Sequence, residues 1–239
     1  MGLVARWARG VTLHRFFVAP DAAAGERFAL PASIQRQVRR VLRLGDDDRI
    51  VVLTGDGSEM VCRLDGEDCV VEQRRSVAGE PLHRLTVVQA LLKSDALETV
   101  IQQGTELGVT SFRLVVTDRC VALEISDRRL QRLHAIAREA AEQSERGIVP
   151  PIAGPVPLGD ALAAGSVLLY ERHTGTGLAR LEAPQRVIIG PEGGFSPAEV
   201  SAAERARVVV AGLGPRILRS QTVAVAAAAV ILSRTGDFA

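Results

Sequence analysis

Two glycine-rich stretches near the C-terminus, Gly190-Pro-Glu-Gly-Gly-Phe195 and Gly212-Leu-Gly-Pro-Arg-Ile-Leu-Arg219, hold the residues best suited to chemistry. Glycine lets a ligand approach the backbone, so such loops recognise small molecules through main-chain N–H and C=O groups. The first loop also carries a carboxylate, Glu192. A phosphate cradle would not, because backbone amides at a helix N-terminus attract anions and a fixed negative charge opposes them. The ligand meeting this loop is therefore expected to be neutral or cationic. Arg219 ends the second loop and offers a cation that could stabilise a developing anion. Glu192 and Glu171 are the carboxylates considered as proton acceptors. His14, His83, His134 and His173 are scattered, and Cys62, Cys69 and Cys120 fit no zinc spacing, so no metal is expected.

Each loop follows a short β-branched run and precedes a helical pattern, which makes it a strand-to-helix connection of the kind that binds ligands in open α/β sheets. The strands are Val187–Ile189 and Arg207–Ala211. The first helix starts at Ser196-Pro-Ala-Glu199, with an N-cap hydroxyl, proline at the first position and glutamate at the third. The second spans Ser220–Leu232. Upstream, Leu85–Leu92 reads as a strand covered on both faces. A helix capped by Asp95, with Glu98 as reciprocal partner, is expected next, with Leu97, Val100, Ile101 and Leu107 on its apolar stripe and Gly108 at its end. Phe112–Thr117 is a strand, Asp127–Arg146 a long helix and Val167–Tyr170 a further strand. The alternation predicts a mostly parallel α/β sheet.

The first 78 residues read differently. Arg49–Thr54, Glu59–Leu64 and Asp68–Gln73 are strands, and Gly55-Asp-Gly57 is a hairpin turn. Ile34–Leu44 reads as a short basic helix with Ile34, Val38, Val41 and Leu42 on one face. A small barrel-like β domain over residues 1–78, a linker at Ser76–Pro81 and an α/β domain over 79–239 are predicted.

The 239 residues, 47% hydrophobic and 24% charged, are those of an ordinary globule. No stretch is apolar for long enough to span a bilayer, no signal peptide is visible, and reduced thiols fit a cytoplasmic protein. Net charge is only +1, yet residues 1–43 hold eight arginines against Asp21 and Glu26. That local excess is a footprint for a phosphate backbone. Its plainer explanation is a solvated face in an arginine-rich chain, since 28 of 29 basic residues are arginine and Lys93 is the only lysine.

No G-x-x-x-x-G-K-[ST], no G-x-G-x-x-G in the first βα unit and no G-x-S-x-G elbow is present, which argues against P-loop NTPases, dinucleotide dehydrogenases and α/β-hydrolases. GPEGGFSPAEV (Gly190–Val200) and LGPRILRSQTVA (Leu213–Ala224) instead resemble the cofactor signatures of the SPOUT methyltransferases. More narrowly, the chain is similar to the 16S ribosomal RNA uridine-N3 methyltransferases, the RsmE family. The resemblance extends to His14-Arg-Phe-Phe-Val18, Val41-Leu-Arg-Leu44, Glu98–Val109 and Glu139–Pro151, in order along nearly the whole chain.

The resemblance implies a PUA-like N-terminal barrel that binds RNA and a C-terminal SPOUT α/β domain tied in a trefoil knot, active as a homodimer. It implies S-adenosyl-L-methionine as cofactor, held by Ile189, Gly190, Pro191, Glu192, Gly193 and Gly194 and closed over by Leu213, Gly214, Ile217 and Leu218. The substrate implied is 16S rRNA of the small ribosomal subunit. Arg219 and Glu192 are the catalytic candidates, and Arg15, Arg40, Arg43 and Lys93 the phosphate contacts. Phe16 and Phe17 are read as core in preference to base-stacking residues. The polar groups of Glu139, Gln143, Ser144 and Arg146 are read as serving the knot or the dimer face. Two residues and one segment depart from the family pattern: Gln35, Gln221 in place of an acidic residue, and Lys93–Glu98. Two rivals stay open, another SPOUT RNA methyltransferase (a ribose 2′-hydroxyl or tRNA base as target) and a noncatalytic RNA-binding protein.

Overall fold

The computed structural model describes residues 13–238, which form two compact units. Of the described residues, one unit comprises those up to 78 together with 145–148; the other comprises 79–144 and those from 149 on.

In the first unit the strands are β1 (Arg15–Phe17), β2 (Arg27–Ala29), β3 (Arg49–Leu53), β4 (Ser58–Asp65) and β5 (Asp68–Ser76), hydrogen-bonded in the order β1-β3-β4-β5-β2. β1 runs parallel to β3 and the other pairs are antiparallel. The β3–β4 turn forms where expected, because Gly55 and Gly57 both adopt left-handed backbone and Asp56 accepts hydrogen bonds from Thr54 and Ser58. Those bonds hold the Asp56 carboxyl below its usual range.

The basic helix differs from expectation. Helix α1 (Ala32–Arg36) passes directly into a wider π-type turn over Gln37–Val41. The wider turn rotates Val41 out to 70% exposure, whereas Val38 is fully buried and Ile34 and Leu42 pack on the core. Phe16 and Phe17 are buried, as core residues should be. Cys62 and Cys69 are buried free thiols, and the contact with Cys69 together with burial pushes the Cys62 thiol up.

The second unit is built on six parallel strands, β6 (Thr86–Ala90), β7 (Ser111–Val116), β8 (Ile152–Pro157), β9 (Val167–Leu169), β10 (Arg186–Ile189) and β11 (Val209–Ala211), in the order β11-β9-β10-β6-β7-β8. Alternate residues of each strand face opposite layers. Val87, Leu91, Leu114, Leu169 and Ile189 pack toward helices α2 (Ala96–Leu107), α3 (Asp127–Gln143) and α6 (Ser220–Leu232). Val88, Ala90, Val115, Leu168 and Ile188 pack toward α4 (Leu158–Ala161) and α5 (Pro197–Arg205). Burial on both faces explains the near-continuous apolar runs.

Three expected details are corrected. Asp95 does not cap α2 through its side chain, because its backbone is already helical; Glu98 is drawn to Arg132 on α3 instead. Helix α3 is capped by Ser126 and stops at Gln143, and Glu145–Ile148 group with the first unit. The pattern also missed β8, whose Gly154, Pro155 and Pro157 disguise a strand tolerated only because it lies at the sheet edge.

Candidate functional site

The chain runs from β6 through β7 to β8 in one direction across the sheet, then returns to lay down β9, β10 and β11 on the other side. Ligands in open sheets bind at the C-terminal strand ends where such a reversal occurs. A cavity of about 710 Å³ lies there, lined by the connections that follow β6, β9, β10 and β11. That volume falls within the range of small-molecule sites. Ile189, Gly190, Pro191, Glu192, Gly193, Gly194, Leu213, Gly214, Ile217 and Leu218 all line it, as do Arg219 and Lys93.

The loop after β10 is held from several sides. The Glu192 carboxylate accepts a hydrogen bond from the Lys93 backbone N–H at 3.0 Å, and the Gly193 carbonyl accepts one from Arg119 Nη1 at 2.9 Å. At its end Ser196 and Glu199 form a complete capping box, and Ser196 Oγ donates to Asp118. Glycine suits the loop at two positions. A Cβ on Gly190 would sit 3.1 Å from the Phe195 ring. Gly194 has φ +68°, and its Cβ would lie 2.8 Å from Glu171 Oε1. Glu192 thus ties this loop to the β6–α2 connection, and Glu171 is the carboxylate packed against the glycine backbone.

Among the described residues, the loop before α6 is held at its two ends, Gly212 and Ser220. Gly212 bridges to Gly177, and its carbonyl accepts from the Leu178 N–H at 2.9 Å. Beyond it Gly214 adopts φ +84° with open space around it, Ile217 is 85% exposed and Arg219 is exposed. Arg219 is the extended residue before α6, so its side chain stands at the cavity where the helix begins. Cationic Lys93, Arg172, Arg216 and Arg219 alternate with Asp95, Glu171 and Glu192 around the lining. A zwitterionic ligand suits that mixture better than a polyanion does.

Residues missed at the level of sequence include Gln89, Ser220, Arg119, Asp118 and Tyr170. Ser220 Oγ donates to the Gly190 carbonyl at 2.5 Å and receives the Gln89 amide at 3.0 Å. A signal for Gln89 existed: an amide inside the apolar run Leu85–Leu92. Arg119 and Asp118 have no such signal, because their partners lie about eighty residues away in the chain.

The candidate phosphate contacts separate. Arg40 and Arg43 are exposed on the first unit. Arg15 is not free for a phosphate: its guanidinium binds buried Glu59 and also Glu145, and its side chain is only 10% exposed. Arg39 is likewise engaged, with Asp46 and the Gly66 carbonyl. Arg6 and Arg9 of the N-terminal cluster lie outside the described residues. Among the described residues, no group of three or more His, Cys, Asp or Glu side chains gathers as a metal site would.

Comparison with known proteins agrees with this geometry. Residues 79–232 match the family described as RNA methyltransferase domain. The ribosomal RNA small subunit methyltransferase E of Synechocystis is 32% identical over 237 residues, covering 92% of this chain and 78% of its own. That of Mycobacterium tuberculosis is 34% identical, covering 82% of this chain and 80% of its own. The crystal structure of the Neisseria gonorrhoeae ribosomal RNA small subunit methyltransferase E bound to S-adenosyl methionine superposes with a TM-score of 0.87 at 27% identity, covering 95% of this chain and all of that one. A cavity lined by two glycine loops at the switch of a parallel sheet, in a chain matched along nearly its whole length, leads to one assignment: this chain belongs to the ribosomal RNA small subunit methyltransferase E family.

Proposed function

We propose that this protein transfers a methyl group from S-adenosylmethionine to N3 of a uridine in the 16S rRNA of the small ribosomal subunit. The observation that carries the reading is the single cavity formed by Gly190–Phe195 and Leu213–Arg219 at the C-terminal strand ends, in a fold shared with a relative crystallised with S-adenosyl methionine. The residues fit that cofactor. Gly190 and Gly194 leave the backbone bare where a side chain would fill the cradle, and the mixed charges suit an amino acid bearing a sulfonium. When bound, S-adenosylmethionine supplies an electrophilic methyl group.

The chain's own residues provide the rest. Ile189 to Gly194 hold the cofactor through backbone, and Leu213, Gly214, Ile217 and Leu218 close over it. Arg219, exposed at the cavity with no ion pair among the described residues, is assigned to the uracil carbonyls, where it stabilises the anion left when N3 loses its proton. Glu192 is anchored to Lys93 N–H, so its role is to brace the two loops it joins. Orientation of the base against the methyl group supplies much of the rate.

The first unit is assigned to RNA as a PUA-like domain over residues 1–78, with Arg40 and Arg43 on its phosphate contacts and Lys93 adding one from the SPOUT domain over 79–239. The knotted path of the 213–219 loop and a homodimeric assembly follow from the family resemblance. In support of the dimer, α6 is apolar all round from Val223 on, and Val225 and Val230 remain only half-buried. No described helix is long and apolar enough to cross a membrane, and a ribosomal substrate fits the cytoplasm.

The test is transfer of labelled methyl from S-adenosylmethionine to small subunits isolated from a host lacking the equivalent enzyme, followed by nucleoside digestion. Label in 3-methyluridine is expected. Label in a 2′-O-methyl nucleoside or another base would overturn the target, and cofactor binding without transfer to any RNA would overturn catalysis.

A further inference from the structure

Gln89 is fully buried in the central strand β6, beside Ile189 of β10 and Leu114 of β7. Its neighbours on the same face, Val87 and Leu91, belong to the apolar core packed by α6. An uncharged amide in that position is unusual and must find partners. The Gln89 amide nitrogen lies 3.0 Å from Ser220 Oγ, 3.0 Å from the Ala90 carbonyl and 3.5 Å from the Gly190 carbonyl. The two carbonyls are acceptors, which fixes the nitrogen on that side. Ser220 Oγ passes the bond on, donating to the Gly190 carbonyl at 2.5 Å.

This short chain links the central strand, the first residue of α6 and the first residue of the loop after β10 at the point where they reach the cavity. Gly190 and Ser220 both line the cavity, whereas Gln89 lies behind them. A hydrogen-bonded series of this kind polarises along its length and holds each member in one orientation. The other end of the amide is the informative part. Gln89 Oε1 is buried without a hydrogen-bond partner among the described residues. A buried acceptor left unpaired costs stability, so an apolar residue of similar shape would serve the fold at least as well.

We propose that Gln89 and Ser220 are a positioning pair, retained to lock the two glycine loops at the spacing the cofactor requires. Gln89 acts through Ser220 and touches no reacting atom. The inference rests on the reading of the cavity as the S-adenosylmethionine site.

Three variants test it: Gln89→Met, Ser220→Ala and the double variant, with wild type and Ser220→Thr as controls. S-adenosylmethionine binding is measured by calorimetry, melting without ligand by circular dichroism, and transfer by steady-state kinetics. Each single change is expected to weaken cofactor binding about tenfold, the loss of one to two buried hydrogen bonds. KM for the cofactor rises to match, while kcat at saturation and KM for RNA stay within about twofold. Gln89→Met melts at or above the wild-type temperature, which a merely structural role would not allow. The double variant is no weaker than the worse single by more than about twofold, because both changes break one chain, and Ser220→Thr restores binding. Wild-type cofactor affinity in Gln89→Met, a multiplied loss in the double variant, or affinity losses tracking melting temperature would each overturn the pair. Should Ser220→Ala not fold, Gln89→Met decides alone. A wild type that binds no S-adenosylmethionine would instead overturn the cavity reading, and the pair with it.

Discussion

The two glycine loops face one cavity but are built in opposite ways. The loop after β10 is fastened at each step: Gly190 to Ser220, Glu192 to Lys93, Gly193 to Arg119 and Ser196 to Asp118. The loop before α6 is fastened at Gly212 and at Ser220, and between them Gly214 and Ile217 meet open space or solvent. The difference separates two tasks. A fastened loop presents fixed backbone groups and binds without paying to order itself. An exposed loop carrying an arginine can adjust to a second substrate. On the proposed reading the first loop supplies the fixed cradle for the cofactor, and the second closes over it and adds the group that serves the chemistry.

Arg219→Ala should break the chemical half alone. A fall of about 10²- to 10³-fold in kcat is expected, as for loss of a group that stabilises a developing anion. Cofactor affinity, read by calorimetry, stays close to wild type. Gly194→Val attacks the binding half: it forces a β-branched residue to positive φ and drives its side chain into Glu171. Backbone strain of roughly 1–3 kcal/mol, with Glu171 pushed aside, predicts binding weaker by about ten- to hundredfold. Equal effects of both changes on kcat and on affinity would erase the division of labour.

Glu192→Gln sharpens the comparison, because glutamine can still accept the Lys93 N–H. An activity loss of at most about threefold marks a strut. A loss of about 10²-fold or more would mark a general base, the range typical of proton transfer by a placed group. The smallest effect lies outside both loops. Glu98 is held by Arg132 at 2.7 and 2.8 Å, and that contact keeps its carboxyl below the usual value of 4.5. A depressed carboxyl stabilises the fold above its ordinary pKa, and the contribution is lost as pH falls through the lower folded value. Glu98→Gln should therefore melt slightly below wild type at pH 7, with the gap closing toward pH 3 in thermal scans and site activity untouched.

Much of this division was legible in the residues. The Ser196-Pro-Ala-Glu199 start of α5, the turn at Gly55 to Gly57 and the glycine framework of the site are local signals, and local signals survive folding. Asp95 misled because a residue of capping type still needs extended backbone, and its own is helical. Val41 misled because a 3.6-residue period does not foresee a π-type turn. Arg15 resembled a free phosphate ligand until Glu59 and Glu145, 44 and 130 residues away, took up its guanidinium. Gln89, Arg119 and Asp118 gain their roles from partners 74 to 131 residues distant, which no periodicity reports. The parallel sheet was foreseeable from alternation, but its order was not, since crossing from β8 to β9 is a tertiary event.

Amide hydrogen exchange with and without S-adenosylmethionine tests the central claim most directly. Slow exchange at the hydrogen-bonded amides of Lys93, Gly194 and Ser196 that changes little on binding, with strong new protection confined to Leu213 to Arg219, is the predicted result. Protection gained mainly in Glu192 to Phe195, or in neither loop, would contradict it.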